Sequence, residues 1–204
     1  MSQLEYLVAL LSIIVGLGLT DLAQSLRELV RPGRTVRWHW LPLTWAAATF
    51  LIAIQIWWNS YQSLQESTPE TFLQFLVSFL LLYLSCAFAL PDPDWREMQA
   101  GADGGTEGPG GPAPLDLEAF YFSEAHRRWY FGVLIGFVLS AEVGFQVISV
   151  LEGEGLHPRS AGLSGGLVAL LGPLAWTDRW WVHAPVSVLC VLVIALSTLQ
   201  AILL

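Results

Sequence analysis

The chain has 204 residues, 54% of them hydrophobic and 13% charged, with a mean hydropathy of +0.56. A soluble domain of this length needs a larger charged surface, so the apolar excess is expected to face lipid. The net charge is −8, with 5 of the 17 acidic residues in residues 91–114, and all 9 basic residues are arginines that flank apolar segments. That distribution excludes nucleic acid as a partner, and the lack of lysine excludes a Walker-type phosphate loop and Schiff-base chemistry.

Residues 4–26 (LEYLVALLSIIVGLGLTDLAQSL) predict a first membrane span. No basic stretch precedes it and no small-residue cleavage site follows, so it is read as a retained helix. Ser12, Gly16 and Thr20 recur at every fourth position, a face that lets helix backbones approach closely in lipid. Asp21 is an ion or proton ligand in one reading. In the other, which its place about 8–10 Å from the end of the apolar run favours, it emerges into headgroups with Gln24, Arg27 and Glu28.

Arg27, Arg31, Arg34 and Arg37 crowd the loop around Pro32-Gly33. Trp38, His39 and Trp40 then lead into a second span over residues 41–61, with Gln55 and Asn59 on one face. A third span is predicted over residues 71–90 and ends at Pro91-Asp92-Pro93. Residues 91–114 are rich in Gly and Pro without hydrophobic period and predict a flexible cytoplasmic loop. Residues 115–128 place Leu117, Phe120 and Tyr121 on one side, which predicts an interfacial helix leading into span four.

Span four, within residues 126–150, opens with Arg127 and Arg128 and an aromatic collar of Trp129, Tyr130 and Phe131. Gly132, Gly136, Ser140 and Gly144 make a second small-residue stripe, and Glu142 and Gln146 lie one turn apart away from it. A carboxylate inside a bilayer is costly and by default marks a functional site. Residues 161–176 are short and interrupted by Gly172-Pro173. They either cross the membrane or dip in and return. After Trp180, Trp181 and His183 a last span covers residues 184–204.

With six crossings, eight arginines (Arg27, Arg31, Arg34, Arg37, Arg96, Arg127, Arg128, Arg179) lie on one side and Arg159 alone on the other. The positive-inside rule then places both termini outside. The expected architecture is an all-α polytopic transmembrane helix bundle, one domain over residues 1–204, with spans one and four as the close-packed pair. Trp38, Trp40, Arg127, Arg128, Trp129, Trp180 and Trp181 are its expected membrane-interface anchors.

At about 1.5 Å per residue, Gln55, Asn59, Gln74, Ser78, Glu142 and Gln146 fall in the outer halves of their spans. Together they predict a polar pocket opening outward, with Glu142 as proton or cation ligand; alternatively they are polar contacts between helices. His39, His126 and His183 share the inner surface with tryptophans and lack ligand spacing. No metal or cofactor is therefore expected, with a redox or metal site at these histidines kept as an alternative. Cys86 and Cys190 lie in apolar segments and are expected as small buried hydrophobes. Gly162-Leu163-Ser164-Gly165-Gly166 fits G-x-S-x-G, and its core resembles the rhomboid intramembrane proteases. A serine nucleophile needs a base within reach, however, and His183 falls a bilayer away from Ser164, so no enzyme is expected.

GLGLTDL in the first span, the tryptophan-rich second span, FYFSEAHRRWYFG before span four and TDRWWVHA before the last span carry a wider resemblance. Through them the chain resembles a family of uncharacterised bacterial multi-spanning inner-membrane proteins. The resemblance implies a location in the inner membrane and no known activity. The leading functional expectation is a channel- or transporter-like conduit for protons or small cations, assembled as a homo-oligomer. The alternative is an accessory subunit that packs against a membrane-protein partner through its small-residue faces.

Overall fold

A computed structural model describes residues 3–32, 35–65, 69–92, 95, 114–151 and 153–203. Most of the predicted Gly/Pro-rich loop, together with Arg34 and Arg96, lies outside the described residues. Among the described residues the chain forms seven helices and one pair of two-residue strands. They are α1 Gln3–Val30, β1 Val36–Arg37, α2 Trp40–Gln65, α3 Pro69–Phe88, β2 Leu115–Asp116, α4 Leu117–Phe122, α5 Glu124–Leu151, α6 Pro158–Trp176 and α7 Trp180–Leu203.

Four of these, α1, α2, α5 and α7, are long and apolar enough to cross a membrane. Only 17–39% of each apolar window is buried inside the protein, so most of these side chains point outward. Outward-facing leucine, isoleucine, valine and phenylalanine on this scale suit lipid and not water. The apolar part of α3, Phe72–Phe88, is shorter, and α6 carries Pro173 inside it.

The helix order differs from the expected pairing of spans one and four. α3 packs extensively against both α1 and α5, while α5 also packs along α6, and α2 packs along α1 and α7. The reason lies in which small residues face inward. On α1 it is Gly18, where an added Cβ would stand 3.3 Å from Tyr83 Cα and 3.4 Å from Cys86. Gly136 and Gly144 of α5 face α3 as well, the first toward Leu81 and the second 3.0 Å from Gln74 Cγ.

The region predicted as one interfacial helix is divided. Asp116 caps α4 by accepting from the Glu118 and Ala119 N–H groups at 2.9 and 3.1 Å. Ser123 then leaves helical geometry (φ −62°, ψ 139°), and its Oγ accepts from the His126 N–H at 3.3 Å, so α5 starts afresh at Glu124. Leu117, Phe120 and Tyr121 do share a side, and that side is buried in the bundle. Parallel pairing of Val36 with Leu115 and Arg37 with Asp116 holds α4 against the start of α2.

Candidate functional site

Glu142 and Gln146 stand one turn apart on α5 and face the first half of α6. The chain turns back between the two helices through Gly153 and Gly155, both at φ near +80° (82° and 81°), a region that glycine enters without strain. His157 precedes α6, and its N–H donates to Gln146 Oε1 at 2.9 Å. Ser160 and Ser164, again one turn apart, present their hydroxyls to the carboxylate: Ser160 Oγ donates to Glu142 Oε1 at 2.8 Å and Ser164 Oγ to Oε2 at 2.7 Å. Gln146 Nε2 adds a third donor to Oε1 at 2.6 Å. Among the described residues no cationic side chain pairs with Glu142. The hydrogen bonds shown hold it through neutral dipoles.

The remaining polar residues of the predicted outer pocket separate into other contacts. Gln74 Nε2 donates to the Ser140 carbonyl and, at 2.9 Å, to Ser140 Oγ, which lies 2.8 Å from Ser78 Oγ. This contact joins α3 to α5 beside a cavity of about 180 Å³, whose lining includes Asn59, Gln74 and Ser78. Gln55 instead bonds Ser197 and Thr198 of α7 at 3.1 and 3.2 Å. The Trp57 indole donates to Ser12 Oγ at 3.0 Å, joining α2 to α1. Asp21 is half-buried, with Cys86 of α3 in its electrostatic surroundings. Of the residues read as one pocket, the structure brings Glu142 together with Gln146, and Asn59 with Gln74 and Ser78.

The small-residue stripes also divide. Added Cβ atoms at Gly16 and Gly132 would meet nothing within 4 Å, and Thr20 is exposed with its hydroxyl turned to the Gly16 carbonyl. Trp38, Trp40, Trp129, Trp180 and Trp181 are exposed, and Arg128 pairs with Glu124 at 2.6 Å. Arg127 is instead 9% exposed, and its Nε and Nη1 have no hydrogen-bond partner among the described residues.

At the arginine-rich end a buried network was not foreseen. Tyr121 Oη lies 2.9 Å from His183 Nδ1, while His183 Nε2 lies 2.8 Å from the Thr177 carbonyl. A carbonyl only accepts, so Nε2 carries the proton and the phenol donates to Nδ1. Burial pushes the Tyr121 phenol pKa up, which keeps it a donor. Trp45 Nε1 donates to Ser187 Oγ at 2.9 Å, and Thr49 Oγ1 lies 2.8 Å from Tyr130 Oη. Both His183 nitrogens are engaged, and the rings of Tyr121, Phe122 and Phe131 pack around it. Ser164 is likewise committed to Glu142 and has no histidine in its hydrogen bonds. Comparison with known families, with curated proteins and with solved structures finds no match.

Proposed function

We propose that the protein is a six-span inner-membrane protein that takes up a proton or small cation at Glu142 and passes it between α5 and α6. The observation that carries this reading is the carboxylate itself. It lies about 14 Å along α5 from Leu151, receives three hydrogen bonds and has no cationic partner among the described residues. An uncompensated carboxylate at such depth is expensive to keep, and binding a positive ion offsets that cost.

Six crossings are supported by the course of α6. It runs antiparallel to α5, from His157 beside Gln146 to Thr177 beside His183, and its 19 residues reach about 28 Å. A re-entrant segment would bring Thr177 back to the end where it began. The arginine distribution then places both termini outside.

Proton and sodium flux into proteoliposomes tests the reading. Flux is expected in the native protein and is expected to be lost in Glu142→Gln. Flux that is absent, or equal in the two proteins, overturns it.

A second reading, an accessory subunit or homo-oligomer, is favoured by the outward small residues Gly16 and Thr20 on α1 and Gly132 on α5, which no described helix covers closely. Cross-linking in native membranes before and after Gly16→Leu tests it: persistence of the same adducts overturns it.

A further inference from the structure

Three oxygen atoms converge on one point between α5 and α6. Glu142 Oε1, the His157 carbonyl and Ser160 Oγ lie 2.6, 2.9 and 3.0 Å from it, and Gln146 Nε2 sits there. An amide nitrogen carries two hydrogens, so two donors face three acceptors. Ser160 has a single hydrogen and also stands within 2.8 Å of Glu142 Oε1 and 3.1 Å of the His157 carbonyl. The cluster therefore has more oxygen contacts than hydrogens to fill them. Gln146 cannot relieve this by turning its amide over. Its Oε1 accepts the His157 N–H at 2.9 Å, and reversal would set that N–H against an NH₂ group and a carbonyl oxygen against the three acceptors.

We propose that this point is a binding site for a monovalent metal cation of sodium size, held by Glu142, Ser160 Oγ and the His157 carbonyl in place of the Gln146 amide. The inference rests on reading Glu142 as the functional carboxylate, and names what it binds.

Carboxylate, hydroxyl and backbone carbonyl are the ligands that hard cations select. The three oxygens need to close by only a few tenths of an ångström to reach the roughly 2.3–2.6 Å at which oxygen holds calcium, an ion close to sodium in radius. Charge decides between the two. One carboxylate neutralises one positive charge, whereas a divalent ion would leave a net positive charge between the helices. Ser164 Oγ, bonded to the other carboxylate oxygen at 2.7 Å, orients the carboxylate toward the ion. The neutral Gln146 amide fills the point with its N–H donors, keeping the oxygens together until an ion displaces it.

Calorimetric titration of the purified full-length protein with sodium chloride, against choline chloride at constant ionic strength, tests the proposal. One saturable sodium site is expected, lost in Glu142→Gln and weakened at least tenfold in Ser160→Ala. Melting curves in choline show whether each variant is folded. Sodium heats no larger than choline heats in the folded native protein overturn the proposal, as does undiminished binding in folded Glu142→Gln. If proton flux still depends on Glu142 in that case, the uptake reading stands and only the sodium assignment falls. If that flux is absent too, both fall.

Discussion

Ser164 Oγ donates to Glu142 Oε2 at 2.7 Å and so ties the middle of α5 to the first half of α6. The two residues are 22 positions apart, and a turn through two left-handed glycines brings them together. Polar contacts between membrane helices each contribute roughly 0.6–2 kcal/mol. Ser164→Ala is therefore expected to lower stability by about 1 kcal/mol, and Ser160→Ala with Ser164→Ala by more than either alone. Thermal melting in detergent measures this; an unchanged melting temperature in the double variant would remove the clamp from the account.

Gly18 and Gly16 differ by two positions and are predicted to respond in opposite ways. A side chain at Gly18 meets Tyr83 Cα at 3.3 Å, and backbone gives way poorly, so Gly18→Leu is expected to cost about 1–3 kcal/mol. At Gly16 the space is open, and Gly16→Leu is expected to leave monomer stability unchanged. Equal melting temperatures for the two variants would contradict the placement of α3 against α1.

Asp116 carries two tasks and Arg37 one. The carboxylate caps α4 and pairs with the Arg37 guanidinium at 2.8 Å, where the arginine is largely exposed. Losing an N-cap costs roughly 0.5–2 kcal/mol and an exposed ion pair about 0–1 kcal/mol. Asp116→Ala should thus destabilise more than Arg37→Ala. Denaturant-induced unfolding of both variants and the double mutant separates the two contributions.

Tyr121 links α4 to α7 through His183. Tyr121→Phe leaves His183 Nδ1 buried without its donor, at a cost of about 1–3 kcal/mol. The phenol's pKa is raised by burial above its ordinary value of about 10. Its contribution to stability is accordingly complete below about pH 10 and is lost as pH rises through the higher native-state value. Alkaline unfolding followed by circular dichroism is expected to show a smaller pH-dependence in Tyr121→Phe than in the native protein.

Much of the fold was legible because lipid imposes a simple demand. A helix that crosses must be apolar over its length, and α1, α2, α5 and α7 are. Glu142 and Gln146 were legible as a pair because positions four apart share a helix face. Ser164 was visible only as part of a G-x-S-x-G pattern and Ser160 drew no notice, yet their spacing of four was the signal that could have marked them as a face. Gln55 and Gln74 sit at similar predicted depths, which made them look like neighbours of Glu142. Depth does not specify direction around the bundle, and Gln55 turns to α7 while Gln74 turns to α5.

The helical class, the apolar helices, the arginine-rich end and one carboxylate within α5 could be read from the residues, because each follows from local composition and period. Which faces meet was settled by packing between helices. It set α3 between α1 and α5, joined Tyr121 to His183, and gave Glu142 its partners on α6. Small and polar residues recur on several helix faces at equal spacing, so the pattern within one helix cannot choose a neighbour. That choice belongs to the close approach of backbones and the pairing of dipoles between helices, which exist only once the bundle is assembled.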